Sequence, residues 1–452
     1  MTRTDNATNK AGERNMAIKA RNEKPVVVAG GGIGGLAAAL GLAQRGFKVT
    51  VLEQAHEFGE IGAGIQLGPN AFHVFDALGV GSLVKKNAVM MDRIQLIDAL
   101  TEERIIDIPT GRAFRSRFGN PYAVIHRADI HSALLEGCRR SPLVELHTHS
   151  KVTGFRHESS GVAVDIAGRE RIHAHALVGA DGLRSAVRAQ IVADGEPPVS
   201  GHMCYRAVLN IGDMPKDLRW PAATLWAGPN THIVHYPLRG WKLFNLVATV
   251  VLDKEIAAHN EQATPREVLP LFAQNCDKIM SLMRVPKSFR RWNLRFREPV
   301  GNWSQGPVTL LGDAAHPMIQ YYAQGACMAL EDSVCLAVMA DRADGDFTEA
   351  FKRYQDLRIA RTARVQLSAQ MLGRIYHAAG VERLVRNDMY RGQKPQSYYD
   401  ALEWIYQAPD YIVSASLKPK RKAAAKKAAV KKAVAKKAAK KAAKRPAKKK
   451  AG

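Results

Sequence analysis

Between Lys24 and Gln54 the chain reads KPVVVAGGGIGGLAAALGLAQRGFKVTVLEQ, an order of strand, glycines, helix, strand and acid that few folds accommodate. Val26 to Ala29 form the short apolar run of a buried parallel strand. Gly30, Gly32 and Gly35 follow as G-x-G-x-x-G. The first allows a tight turn, the second lets backbone approach a pyrophosphate, and the third lets the next helix pack close to the strand. The spacing predicts a helix over Leu36 to Arg45, closed by Gly46. Its N-terminal N–H groups and partial positive charge suit phosphate. A second apolar strand, Val49 to Leu52, ends at Glu53, whose carboxylate can accept hydrogen bonds from both hydroxyls of an adenosine ribose. The pattern indicates a dinucleotide and does not separate NAD from FAD.

The rest of the chain bounds the class. At 452 residues it has room for about three domain-sized units. No run approaches the roughly 18 to 20 apolar residues of a membrane span. Residues 1–23 read as a polar, disordered leader without an export signal, so a cytoplasmic location is expected. Five cysteines without a C-x-x-C pattern argue against disulfides and zinc. His147/His149 and His173/His175 lie two apart, which would place each pair on one strand face as surface histidines; no metal is expected. Of the net +24, 17 Lys and Arg fall between Lys418 and Gly452, leaving +7 for the rest.

Further along, the glycines of EFGEIGAGIQLGPNAF (Gly59, Gly62, Gly64, Gly68) predict a loop that brings backbone close to a ligand. Residues 91–110 alternate as a half-exposed strand pair, Tyr122 to Ile125 form a strand, and HRADIHSALLEGCRR a helix. Val162 to Ile166 and Ala174 to Val178 are expected to pair. Strand-like runs recur from Met203 to Val251 and suggest an inserted antiparallel sheet. Helix is predicted over Pro265 to Met283 and, after a strand at Pro307 to Leu311, from Gly325 to about Tyr406. Two more strands end in acids: ALVGADGLRSAVR at Asp181, and VTLLGDAAHP at Asp313. Such ends are where open α/β sheets bind ligands, and Asp313 could grip a flexible polyol hydroxyl.

GGGIGG with Glu53, the Asp181-Gly182 segment and GDAAHP together resemble the FAD-dependent aromatic hydroxylases, single-component flavoprotein monooxygenases, over roughly residues 24–400. The resemblance implies one FAD, with its AMP half on Gly30, Gly32, Gly35 and Glu53. Arg127, in the H-R-x-D-x-H segment, would also touch FAD; Asp313 would bind the ribityl chain; Asp181 belongs to a segment linked to FAD and nicotinamide. Gln324, Gly325 and Ala326 open an apolar helix whose free N–H groups would face the flavin N1–C2=O edge and stabilise negative charge there. The implied fold is α/β: a Rossmann-like, three-layer FAD domain with a parallel sheet, an inserted antiparallel substrate sheet and C-terminal helices. The expected partition is FAD domain at 24–195, with an excursion toward the substrate sheet at about 80–120; substrate sheet at 196–295; FAD domain again at 296–375; helices at 376–416; and a disordered polycationic tail at 417–452.

On the substrate side, His232 and Tyr236 lie four apart on a strand and share a face, with His235 opposite. Their α-carbons would be about 13 Å apart, enough to bracket one aromatic ring. On the residues alone, a satisfied histidine in a half-buried sheet is the favoured reading of His232. The H-x-x-x-Y strand and Gln320 resemble the family members that hydroxylate 3-hydroxybenzoate. That implies His232 and Gln320 as the pair drawing off the phenol proton, Tyr236 on the carboxylate, and Gln66 and Tyr122 as further pocket residues. NADH would reduce FAD, O2 would be captured as the flavin C4a-hydroperoxide, and attack para to the hydroxyl would give 2,5-dihydroxybenzoate (gentisate). Alternatives are salicylate 1-hydroxylation, a related hydroxybenzoate or hydroxynicotinate monooxygenase, an NAD-dependent dehydrogenase and a DNA-associated architectural protein. Family members often form homodimers. The Lys/Ala tail resembles those of histone H1-like proteins and, lacking aromatics, fits non-specific polyanion or DNA binding rather than membrane insertion.

Overall fold

The computed structural model describes residues 20–59, 63–252 and 262–416. The tail and residues 1–19 of the expected leader lie outside them. Arg21 and Asn22, at the end of that leader, are packed: Arg21 lies over the Phe47 ring and pairs with Asp341 and Asp344, and the Asn22 amide bonds the backbone of Lys48.

The strand Val26–Ala29 lies at the centre of a parallel sheet. Val49–Leu52 and then Val144–His147 pair on one side of it, and Ala176–Gly179 and then Val308–Leu310 on the other. Ser304–Gln305 adds an antiparallel edge. Every residue of Val26–Ala29 is fully buried, so both faces of the sheet are covered. The helices Ile33–Gln44, Arg127–Arg139 and Gly325–Arg342 and the meander of Val152–Glu158, Gly161–Ile166 and Ile172–Ala174 contribute to that one core. The first helix begins three residues earlier than its apolar spacing predicts, because Gly34 and Gly35 lie inside it where it meets its neighbours closely.

A second sheet of eight strands runs in the order Gln262–Ala263, Phe289–Arg295, Val199–Asn210, Leu243–Val251, Thr231–Leu238, Ala222–Gly228, Arg93–Asp98, Arg104–Pro109. Strands from before and after the acid-ended turn at Asp181 thus meet in one surface. It is antiparallel except where Ala222–Gly228 runs parallel to Arg93–Asp98. The C-terminal helices are Phe347–Tyr376, Gly380–Tyr390, Pro395–Tyr406 and Asp410–Ser416.

Three local expectations fail for identifiable reasons. Ala174 ends the meander opposite Val162, but Ala176–Gly179 leaves it and enters the parallel sheet beside Val26–Ala29. The stretch Pro265–Met283 is not one helix: Pro265–Val268 passes into a 3₁₀ turn at Leu269–Phe272 containing Pro270, which can neither donate nor continue an α-helix, and helix resumes at Asp277–Met283. His149 and His175 lie beyond the ends of their strands, so neither histidine pair shares a strand face. His149 turns at φ 51°, and His173 pairs with Glu158 at 2.7 Å.

Candidate active site

The C-terminal ends of the parallel strands and one face of the eight-stranded sheet border a single cavity of about 1050 Å³. At its dinucleotide end the turn after Val26–Ala29 tolerates only glycine. Gly30 has φ +103°, and a Cβ there would lie 2.3 Å from the Ala180 carbonyl oxygen; one on Gly35 would lie 2.0 Å from that of Gly30. The helix that follows starts on Gly32 with no side-chain cap, leaving its first N–H groups to a ligand. Glu53 lines the cavity at the next strand end. One carboxylate oxygen accepts from the Gly31 N–H and the other from that of Ala55, both at 2.8 Å. Arg127, opening its own helix, also lines this end.

Asp181 and Asp313 stand at the other two strand ends, and both line the cavity. They differ in how they are used. Asp181 caps the helix Ala186–Ile191, accepting from the Ser185 hydroxyl and the Ala186 and Val187 N–H groups; burial pushes its pKa up against those bonds. Asp313 is exposed to the cavity in a 3₁₀ turn, and its carboxylate has no side-chain hydrogen bond among the described residues. It lies 4.0 Å from where a Cβ on Gly325 would sit, so the acid and the start of the Gly325–Arg342 helix face one space. That helix has no side-chain cap either; the Gln324 amide oxygen accepts from Asn70 at 2.9 Å. Gln324, Gly325 and Ala326 all line the cavity. Two uncapped helix starts, a glycine-only turn and an unpaired acid between them fit an anionic dinucleotide with a polyol.

A buried ionic cluster holds this arrangement. Asp332 accepts from the Gly312 N–H at 3.0 Å, from His316 Nε2 at 2.6 Å and from Arg358 at 2.7 Å. Burial opposes charge on Asp332, and the His316 and Arg358 contacts outweigh it, holding the carboxyl down at about 2. Glu331 pairs with Arg358 and Arg361 and accepts from Asn70. The helix Gly325–Arg342 is thereby tied to the turn that carries Asp313.

At the other end, the register of the eight-stranded sheet decides which side chains face the cavity. His232 lies opposite Thr249, which lies opposite Cys204; Val234 lies opposite Val247, which lies opposite Arg206; Tyr236 lies opposite Asn245. His232, Val234 and Tyr236 line the cavity, while His235 is turned away between Trp226 and Phe244 and accepts from the Trp226 indole at 3.0 Å. His232 is 2% exposed, and its Nδ1 shares a 2.7 Å hydrogen bond with His377 Nε2. Burial, then the neighbouring His377 and His202, press its pKa well below the usual histidine value, so the ring is neutral. Burial pushes the Tyr236 phenol up, keeping it a donor. Gln320 accepts from Arg206 at 2.5 Å and points its amide toward Thr249 and Cys204; it does not bond His232. Tyr122 donates to the Gln66 amide oxygen at 2.5 Å, and both line the cavity.

The glycine-rich loop meets its expectation in part. Gly64 lines the cavity, and a Cβ there would meet the Tyr236 ring at 2.6 Å, while one on Gly68 would meet the Tyr406 ring at 2.6 Å, so both glycines also make room for aromatic side chains; Gly62 lies outside the described residues. His377, His202 and Arg206 escape the sequence reading. Strand alternation is the one signal that could have put His202 and Arg206 on one face, and nothing local marks His377, which follows a 30-residue helix. Among the described residues there is no group of three or more His, Cys, Asp or Glu that could hold a metal, and no helix is long and apolar enough to cross a membrane.

The FAD binding domain family matches residues 23–364. A 3-hydroxybenzoate 6-hydroxylase of Polaromonas naphthalenivorans (strain CJ2) is 52% identical over 382 residues, 84% of this chain and 95% of the relative. The chain belongs to the FAD-dependent aromatic hydroxylases. A 3-hydroxybenzoate 6-hydroxylase of Klebsiella oxytoca is 48% identical, over 84% of this chain and 96% of its own. Among solved structures, Klebsiella pneumoniae HpxO complexed with FAD and uric acid superposes with a TM-score of 0.76 at 23% identity, covering 88% of this chain and 99% of its own. A salicylate hydroxylase substrate complex gives 0.73 at 24% identity, over 88% and 100%. At such identities the two structures speak for the fold. The cofactor of this hydroxylase is FAD, and the simple dehydrogenase and architectural-protein alternatives are set aside.

Proposed function

We propose that this hydroxylase converts 3-hydroxybenzoate to 2,5-dihydroxybenzoate with NADH and O2. The observation that carries the reading is the placement of His232, bonded to His377 at 2.7 Å, on the cavity face of the substrate sheet beside Tyr236 and Gln320, in the same cavity as the glycine turn and Asp313. The 46–52% identity to three 3-hydroxybenzoate 6-hydroxylases supports the same substrate.

FAD, when bound, supplies the electron transfer from nicotinamide and the electrophilic oxygen. Gly30, Gly32, Gly35, Glu53 and Arg127 would hold its AMP half, Asp313 its polyol, and the start of the Gly325–Arg342 helix the flavin edge. Asp181 acts on this site through the helix it caps. The buried walls exclude water while the ring is attacked. His232 takes the phenol proton, turning the ring into a phenolate, richer in electrons ortho and para to the oxygen. Tyr236 donates to the carboxylate and so sets which carbon faces the flavin. Arg206 holds Gln320, and Gln320 orients the phenol beside His232. Gln66 and Tyr122 close the wall as a bonded pair. Product identification with 3-hydroxybenzoate, salicylate and 6-hydroxynicotinate tests the assignment: gentisate from the first supports it, and preferential turnover of either other acid overturns it.

The tail is read as a non-specific polyanion binder, on its 17 basic residues and missing acids. Its removal should abolish retention on DNA at low salt and leave hydroxylation unchanged; unchanged retention refutes the reading. A homodimer is supported by the apolar stripe Val381, Leu384, Val385 and Met389, exposed along one helix. Light scattering on the purified protein decides it.

A further inference from the structure

We propose that His377 is a positioning residue that relays the substrate's proton, receiving it from His232 and passing it out of the cavity. The inference rests on the reading of His232 as the group facing the phenol. Three observations carry it. First, the two rings are bonded at 2.7 Å, with planes 29° apart, and both nitrogens are buried. Second, exposure rises outward: His232 is 2% exposed, His377 7%, and His202, edge-on to His377 at 5.1 Å, is half-buried. Third, His377 caps the C-terminus of the helix Phe347–Tyr376, where the helix dipole favours passing positive charge; His232, in mid-strand, has no such support.

The groups facing the pair are His202 from the neighbouring strands, Tyr321 from the Gln320–Tyr322 turn and Tyr376 from the helix. Tyr321 shares a 2.5 Å hydrogen bond with His202. Among the described residues no carboxylate bonds any of the three histidines, so nothing stabilises a lasting imidazolium. Burial holds His377 at about 3 and keeps His232 and His202 low as well. A single buried base would have to carry the charge itself. The relay avoids that. As the phenol O–H bond breaks, its proton bonds His232 Nε2; the proton on His232 Nδ1 moves to His377 Nε2; the proton on His377 Nδ1 leaves to water. The substrate becomes a phenolate, both rings end in the opposite neutral tautomer, and one proton is released.

Two variants separate relay from packing. His377→Gln keeps a hydrogen-bonding partner for His232 but offers no ring to pass a proton; His377→Phe keeps the bulk. Their kcat and KM for 3-hydroxybenzoate are measured beside the wild-type enzyme from about pH 6 to pH 10, where phenols ionise unaided, with bound FAD quantified. Both should keep FAD and KM, lose kcat about a hundredfold near neutrality and regain it as the pH rises. Wild-type kcat in His377→Gln, or a loss equal at every pH, overturns the relay while leaving an active wild-type enzyme's assignment intact. A wild-type enzyme inactive toward 3-hydroxybenzoate removes the functional reading, and the relay with it.

Discussion

At the scale of single residues, the site divides by what a short window of sequence can reveal. Glu53 and Asp313 are legible because each follows an apolar run, Asp313 directly after Gly312, and local spacing alone puts the acid at a strand tip. His232 and Tyr236 are legible as a pair because strand alternation is a local rule. The partner that gives His232 its character is not: His377 is 145 positions away and is brought there by the path of a long helix. Asp181 shows the converse limit. Its place was readable, but its carboxylate is spent on three bonds to its own helix. If His232 is the proton acceptor, His232→Ala should retain its yellow FAD and lose hydroxylation about a hundredfold. Product formed per NADH oxidised is the measure; full coupling in the variant refutes the role.

Among elements, the decisive piece is the helix Gly325–Arg342, whose start lines the cavity and whose next turn carries Glu331 and Asp332. The run was readable as a helix; its docking was not, since it depends on Arg358 from another helix. Asp332 and Glu331 are both fully buried and answered by Arg358. Removing that cation leaves two carboxylates without it, so Arg358→Met should cost about 3–5 kcal/mol in unfolding experiments and loosen FAD through Gly312 and Asp313. The same cluster sets an acid limit. Asp332 ionises more easily folded, at about 2, than its ordinary 3.8, so its contribution is complete above the higher value and is lost as pH falls from one to the other. Urea titrations across that window should show stability falling in the wild type and a weaker dependence in Arg358→Met. The split of Pro265–Met283 makes the same point: helical periodicity was visible, and Pro270 decided where it broke.

For the whole molecule, two sheets with different jobs share one cavity, and strands from residues 93–109 cross to join the later substrate sheet. The strand pair was readable from alternation, whereas its parallel pairing with Ala222–Gly228 was not. Because the proposed FAD cradle draws on segments from Gly30 to Ala326 that line one cavity, cofactor binding should stabilise the folded chain as a unit. At free FAD a hundredfold above its dissociation constant the gain is about 2.7 kcal/mol, so stripped protein should melt lower and recover when FAD is returned; a melting temperature indifferent to FAD would contradict a cradle assembled from distant segments. The most direct test is product analysis on the purified, FAD-loaded protein given 3-hydroxybenzoate, NADH and air. The account predicts 2,5-dihydroxybenzoate formed in step with NADH oxidation. A preparation that takes up no flavin, or a hydroxyl placed on any other ring carbon, would contradict it.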